Sequence, residues 1–278
     1  MPAGFFRPPG LCTSLCSVTS TTNTDGHVHS RRESILARAR DLGRLNVAET
    51  ALALDISAET LRRDLRSLET EGLVRRSYGT VYPVESGRYE TSLFARESMN
   101  SAEKQRVASS AVEQLGEAQT VFIDEGSLPQ LVAFALPKTR QLTVLSTSLP
   151  VAAALAAEGV HEVILIGGRV RGNTLGVVDH WAADMLASFV IDVGFIGANG
   201  VSVTHGFTTP DPSVAAVKRA AVEVCTRKVF VGAHTKFGVS SFARFASLSE
   251  FDLLITGHQL PAHQAARYAA FGARMLRV

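Results

Sequence analysis

Six short segments rich in aliphatic and β-branched residues recur between residues 120 and 256, and helix-length segments separate them. Parallel strands need long crossover connections, and helices usually provide them. The alternation therefore predicts a doubly wound, largely parallel α/β domain with helices on both faces of the sheet. The predicted strands are residues 120–124, 142–146, 162–166, 191–196, 228–231 and 251–256.

Polar residues and glycines cluster where these strands end. In a parallel sheet such loops emerge at one edge, where open α/β folds bind ligands, and helix N-termini there present N–H groups to phosphate. Tight turns are the alternative explanation for each glycine taken singly. The candidates for binding a small ligand at this edge are Asp124, Gly126, Ser127, Ser146, Thr147, Gly167, Gly168, Asn199 and Thr208, with Lys218 and Lys236 adding positive charge.

No cofactor or metal is predicted. The chain contains neither Gly-x-Gly-x-x-Gly nor a Walker loop, and its eight histidines form no metal-binding pattern. Cys12 and Cys16 lie near His27 and His29, but the spacing matches no standard zinc site. An odd number of cysteines and no long apolar run predict a soluble cytoplasmic protein that does not enter membranes.

The amino-terminal part has a different pattern. Ile35, Leu36, Ala39 and Leu42 follow helical spacing up to Gly43, and residues 47–54 predict a second, shorter amphipathic helix. A three-residue turn, 55–57, then leads into a third helix that Ser57 is suited to cap. Two helices joined by so short a turn predict a helix-turn-helix.

The third predicted helix, residues 58–71, has two unlike faces. Leu61, Leu65 and Leu68 lie on one side, and charged residues occupy the other. A basic hairpin over residues 73–82 follows, and this order of helices and hairpin is typical of a winged module for double-stranded DNA. The predicted DNA contacts are Ser57, Thr60, Arg62, Arg63, Arg66, Arg75, Arg76 and Tyr78, although each arginine alone also suits a solvated surface.

These features divide the chain into four parts. Residues 1–30 show no periodicity and are expected to be disordered. Residues 31–85 are the predicted winged helix-turn-helix, residues 86–102 a linker, and residues 103–278 the α/β domain. The formal net charge of +2 is too small to decide on a nucleic-acid partner, because a concentrated patch matters more than the total.

The chain resembles the DeoR family of bacterial regulators. The resemblance is carried by residues 44–49, the run Ser57-Ala-Glu-Thr-Leu-Arg-Arg-Asp-Leu65 and residues 68–76, and it continues through Glu103-Lys104, residues 166–168 and 195–198, Gly206-Phe-Thr-Thr209, Val217-Lys-Arg219 and Lys236-Phe-Gly238. It implies a homo-oligomeric repressor of carbohydrate genes. Its second domain is expected to resemble sugar-phosphate isomerases and to bind a phosphorylated sugar as effector.

Some positions differ from the family pattern. Glu125 and Leu128 stand where the phosphate loop commonly has Ser and Thr, Ala233 and Gly257 replace an Asp, and Ser146-Thr147 replaces Thr-Asn. Two other functions stay open: an isomerase that acquired a DNA-binding module, and a ligand-independent DNA-binding protein that uses its second domain for assembly. Asn199 stands where isomerases carry an acidic loop, and an amide cannot serve as the base that isomerisation needs.

Overall fold

The computed structural model describes residues 45–71, 73–77, 80–83 and 100–278, with positions 28, 30–36, 38, 39, 93 and 96. The predictions for residues 1–27, Leu42, Gly43, Tyr78 and most of the linker lie outside these residues. The chain divides into two compact units, Met1–Pro83 and Val84–Val278. Within the described residues, no helix has both the length and the apolar character needed to cross a bilayer.

The first unit is the predicted helix-turn-helix. Positions 28, 30–36, 38 and 39 are helical, so the first helix begins inside the stretch 1–30 that was predicted to be disordered. Helices α1 (Val47–Ala53) and α2 (Ala58–Thr70) follow. The apolar faces of these helices meet in one core that contains Ile35, Leu61 and Leu65. Ser57 caps α2 as predicted, since its Oγ accepts the Thr60 N–H at 3.1 Å.

The wing is a three-stranded sheet. Strands β2 (Val74–Ser77) and β3 (Thr80–Pro83) form the predicted antiparallel hairpin. A short strand that was not predicted, β1 (Leu45–Asn46), pairs with the other side of β3. Asn46 also caps α1, because its side chain accepts the N–H groups of Ala48 and Glu49.

The second unit contains a seven-stranded sheet in the order β15-β14-β12-β9-β4-β5-β6, and every neighbouring pair is parallel. The predicted fold class is therefore confirmed. The strands of this sheet are β4 (Thr120–Ile123), β5 (Thr143–Ser146), β6 (Glu162–Leu165), β9 (Ile191–Ile196), β12 (Cys225–Val231), β14 (Leu253–Thr256) and β15 (Arg274–Arg277).

Helices cover both faces of this sheet. Side-chain alternation along β4 shows the two faces: Phe122 packs into one apolar cluster, while Val121 and Ile123 pack into another on the opposite face. The helices of the unit are α3 (Ser101–Val112), α4 (Ser127–Phe134), α5 (Leu149–Glu158), α6 (His180–Leu186), α7 (Pro212–Val224) and α8 (Ala262–Ala269).

Several elements were not predicted. Strands β7 (Arg169–Val170) and β8 (Val177–Val178) form a hairpin, and β10 (Gly200–Ser202), β11 (Gly206–Thr209) and β13 (Ala243–Ala246) form an antiparallel sheet. These strands have two to four residues, too few to show a period in the sequence. The predicted start of β12 at Lys228 was late, because the strand begins at Cys225 directly after α7 ends.

Candidate functional site

The strand order places a crevice at one edge of the parallel sheet. From β4 the chain proceeds outward through β5 and β6, and it then returns to β9 on the other side of β4. The connection after β4 therefore leads to β5 on one side and the connection after β9 leads to β12 on the other, and a crevice opens between the carboxyl ends of β4 and β9. A cleft with a cavity volume of about 70 Å³ lies there.

Five of the eleven predicted ligand-binding residues line this cleft. They are Gly126, Ser127, Asn199, Lys218 and Lys236, which come from the start of α4, the loop after β9, the helix α7 and the 3-10 turn after β12. Residues far apart in sequence therefore meet as the parallel sheet requires. Which of them bind a ligand stays a prediction.

Gly126 shapes the floor of the cleft. It precedes α4 with φ of 116°, in the region that favours glycine, and no side chain caps this helix. By contrast, Ser57 supplies a side-chain cap to α2. The first turn of α4 therefore borders the cleft without a side-chain cap hydrogen bond, an arrangement that suits an anion.

A buried ion pair lies behind the cleft. The Lys218 ammonium contacts Asp124 Oδ2 and donates to the Gly197 carbonyl at 3.3 Å. Asp124 also accepts the N–H groups of Glu125 at 2.8 Å and Gly197 at 2.9 Å. Asp124 and Lys218 are almost wholly buried and neutralise each other, so the pair fixes the two loops that flank the crevice.

Lys104 and Arg96 line the cleft as well, and the sequence analysis missed both. Lys104 lies in the first turn of α3 and is 6% exposed. Its Nζ donates to Ser127 Oγ at 3.1 Å and to the Arg96 carbonyl oxygen. A lysine in the first turn of a helix is unusual for the helix dipole, and that was the available signal.

Glu103 holds the loop that carries Lys236. Its Oε1 accepts the N–H groups of His234 at 2.7 Å and Gly257 at 3.1 Å, and its Oε2 lies 2.8 Å from His234 Nδ1. The side chain of Glu103 packs directly over Gly257, so a side chain at position 257 would collide with it.

The other predicted ligand residues do not line the cleft. Ser146 Oγ donates to the Ile123 carbonyl, and Thr208 Oγ1 donates to the Gly200 carbonyl, so both hydroxyls hold neighbouring strands together. The remaining positions away from the lining are Thr147, which is fully buried, and Gly167 and Gly168, which precede β7. Asp192 lies at the opposite end of β9, where backbone N–H groups from Thr120 and Gln119 lower the pKa of its carboxyl group.

In the first unit, α2 presents the predicted basic face. Arg62, Arg63 and Arg66 are exposed, while the leucines of the opposite face are buried. Glu59 accepts ion pairs from Arg62 at 3.5 Å and from Arg66 at 3.2 Å. Ser57 and Thr60 begin this face, Arg75 and Arg76 lie on β2, and the side chains of these two arginines are outside the described part of the chain.

Asp64 anchors α2 from its buried side. Its carboxylate pairs with Arg31 at 2.6 Å and Arg32 at 3.3 Å and is 1% exposed. Burial alone would raise its pKa, but the hydrogen bonds and charge of the two arginines hold the pKa below its ordinary value. The Asp of the Arg-Arg-Asp-Leu run therefore orients the helix, whereas the arginines before it face outward.

Both units match known family models. Residues 31–86 match the DeoR-like helix-turn-helix domain, and residues 99–258 match the DeoR C-terminal sensor domain. The chain belongs to the DeoR family. It is thus a DNA-binding transcriptional regulator, in which a helix-turn-helix domain is followed by a sensor domain.

Relatives of the DeoR family resemble most of the chain. The HTH-type transcriptional regulator GlpR of Haloferax volcanii is 36% identical over 84% of this chain and 91% of that protein. The glycerol-3-phosphate regulon repressor of Escherichia coli is 28% identical over 81% of this chain and 89% of that protein. The similarity therefore spans both units.

Among solved structures, a ribose 5-phosphate isomerase A from Methanocaldococcus jannaschii is similar to part of this DeoR-family chain. The match covers 50% of this chain and 55% of that one, with 16% identity and a TM-score of 0.37.

Proposed function

We propose that the chain is a repressor whose operator binding is controlled by a small phosphorylated metabolite in the cleft at the β4–β9 crevice. The observation that carries this proposal is the cleft itself. It combines the first turn of α4, which has no side-chain cap, with the basic residues Lys104 and Lys236. Such a site favours a compact dianion such as a phosphate group.

The charge of the cleft supports an anionic ligand. Lys218 is neutralised by Asp124, so the positive charge at the lining comes from Arg96, Lys104 and Lys236. Glu125 is the one carboxylate among the described lining residues, and its side chain packs over Gly176. The Escherichia coli relative is named for the glycerol-3-phosphate regulon, which makes glycerol 3-phosphate the first ligand to test.

The test is a thermal-shift series on the full chain with glycerol 3-phosphate, other sugar phosphates and glycerol. A ligand that binds only the folded state raises the unfolding midpoint, so the phosphates should raise it and glycerol should not. Lys236→Ala should abolish the shift and the effect of ligand on operator affinity, while operator binding without ligand stays unchanged. Lys138→Ala, at an exposed lysine paired with Glu158, is the matched control.

Glu125 offers a second readout. The Glu125→Ser variant removes a negative charge from the lining, so phosphorylated ligands should bind more tightly. If no phosphate shifts the midpoint of the parent, of Glu125→Ser or of Lys138→Ala, the domain does not sense such ligands and serves assembly instead.

We also propose that the cleft binds its ligand without converting it. Asn199 lies in the cleft and its Oδ1 accepts the Thr209 hydroxyl at 3.1 Å, so it supplies no base. Asp124 is held by Lys218. Turnover of ribose 5-phosphate or a hexose phosphate by the purified chain would show the opposite.

The chain is further proposed to bind its operator as a homo-oligomer. A helix-turn-helix module contacts a few base pairs, and linked modules gain affinity by engaging repeated half-sites. Sedimentation of the full chain with and without operator DNA measures the number of copies, and a monomer that saturates a single half-site would contradict this proposal.

A further inference from the structure

Asn199 is held in the wall of the cleft by the small antiparallel sheet. It directly precedes β10, and its N–H donates to the Thr208 carbonyl at 3.0 Å. Its side-chain Oδ1 accepts the Thr209 hydroxyl at 3.1 Å. Two consecutive residues of β11 therefore fix both the backbone and the amide group of Asn199.

The bond from Thr209 sets the orientation of the amide. Thr209 is fully buried and does not line the cleft, whereas Asn199 is half-buried and does. Because Oδ1 is turned to the buried hydroxyl, Nδ2 is the arm of the amide that is left for other partners. Nδ2 donates no hydrogen bond within the described part of the chain, and it is accessible rather than buried. Asn199 thus offers the cleft two N–H donors and no acceptor.

The loop that carries Asn199 adjoins the first turn of α4. Gly197 approaches Pro129 so closely that a Cβ at position 197 would lie 3.4 Å from Pro129 Cγ. The Gly197 carbonyl also accepts a hydrogen bond from Lys218, and its N–H donates to Asp124. The loop after β9 is therefore fixed against α4, and Asn199 borders the same cleft as the proposed phosphate position.

From this geometry we propose that Asn199 is a specificity-determining residue of the effector site, and that Thr209 is the residue that positions it. Asn199 Nδ2 donates to an uncharged oxygen of the ligand, a hydroxyl or carbonyl carried beside the phosphate. This assignment rests on the phosphorylated ligand proposed above, and it names the second group that the ligand must have.

Such a site separates phosphorylated compounds by the group next to the phosphate. A hydroxylated ligand gives the Asn199 N–H groups an acceptor in place of water, whereas an alkyl phosphate leaves these donors without a partner. The cleft therefore prefers polyol or sugar phosphates to alkyl phosphates of the same length. The Thr209 hydroxyl contributes to this selectivity without touching the ligand.

The test is calorimetric titration of the full chain with glycerol 3-phosphate and with propyl phosphate, which has the same carbon chain without hydroxyl groups. The parent should bind glycerol 3-phosphate more tightly by about tenfold or more. Asn199→Ala should weaken the binding of glycerol 3-phosphate by about tenfold, as expected for one lost hydrogen bond, and leave propyl phosphate unchanged. The ratio of the two dissociation constants therefore reports the contact with Asn199.

The same ratio tests the role of Thr209. Thr209→Val removes the hydroxyl and lets the amide rotate, so the ratio should fall by about threefold, and Thr209→Ser should restore it. A purely structural role for Thr209 would weaken both ligands equally. Thr256→Val is the matched control and should keep the parent ratio, because Thr256 is also fully buried but its hydroxyl has no hydrogen-bond partner among the described residues.

The outcomes separate this assignment from the proposed function. If Asn199→Ala weakens both phosphates by the same factor, or leaves the ratio as in the parent, the assignment is overturned while the phosphate site stands. If neither phosphate binds the parent, the assignment and the proposed function are overturned together.

Discussion

The basic face of α2 and the basic cleft of the sensor unit hold their charges in opposite ways. On α2, Arg62 and Arg66 are 55% and 59% exposed and share one carboxylate, Glu59. In the sensor unit, Lys218 is 3% exposed and is held against Asp124. Exposed ion pairs are worth about 0–1 kcal/mol, so the arginines of α2 can exchange Glu59 for DNA phosphates at little cost.

The buried pair has a different task. Once two charges are out of water, removing one leaves the other without compensation, and the fold loses far more than it loses at the surface. A basic residue is therefore available to a partner where its present pairing is weak, and it is part of the scaffold where its pairing is buried.

The largest effect is expected for Lys218→Met. It leaves the Asp124 carboxylate buried and without its cation, and the free energy of unfolding should fall by about 3–5 kcal/mol. Urea unfolding of the full chain measures this loss. The double variant Asp124→Asn with Lys218→Met should recover part of it, because no isolated charge remains, whereas Arg66→Met on α2 should change stability by less than about 0.5 kcal/mol.

An intermediate effect is expected for operator binding. Arg62→Ala or Arg63→Ala should weaken it by about 1–3 kcal/mol if the guanidinium contacts a base edge, with relaxed preference at one base pair. Stability should not change, because both side chains are exposed. Fluorescence anisotropy with a DNA site selected by the full chain measures the affinity, and losses below twofold in both variants would place the DNA interface elsewhere.

The smallest effect concerns the two helix N-termini. Ser57→Ala removes the side-chain cap of α2 and should lower the free energy of unfolding of the first unit by about 1 kcal/mol. No cap exists to remove on α4, where Gly126 precedes the helix. Thermal unfolding with and without phosphate distinguishes the two helix ends. Phosphate should leave the stability loss caused by Ser57→Ala unchanged. An equal loss of stability after Ser127→Ala would show that α4 has a side-chain cap.

The sequence predicted the basic face of α2 well, because helical periodicity is local. Leu61, Leu65 and Leu68 recur at helical spacing, and the structure buries all three. The prediction of the wing lacked β1, because that strand is held by a long-range contact. β1 has only two residues, and its pairing with β3 joins positions 45 and 81, which no local pattern reveals.

For the cleft, the sequence predicted the correct edge of the sheet but not the correct set of residues. Strand ends mark the edge, yet only the strand order shows that β4 and β9 flank the crevice while β5 is set to one side. Ser146 and Thr208 adjoin the crevice without lining the cleft: Ser146 bonds to the end of β4, and the Thr208 carbonyl accepts the Asn199 N–H at 3.0 Å. Lys104 and Arg96 reach the cleft from before the first strand of the sheet, and that long-range contact has no signal in spacing.

The junction between α7 and β12 has a consequence for the thermodynamics of sensing. The helix ends at Val224 and the strand begins at the next residue, so no connecting loop separates Lys218 from the strand that leads to Lys236. Because α7 and β12 are joined directly, the separation of Lys218 and the strand that leads to Lys236 is fixed before any ligand binds. Binding at the proposed site therefore requires little additional ordering of these elements, so even a very small ligand, with few atoms to contribute contact energy, loses little of that energy to chain entropy.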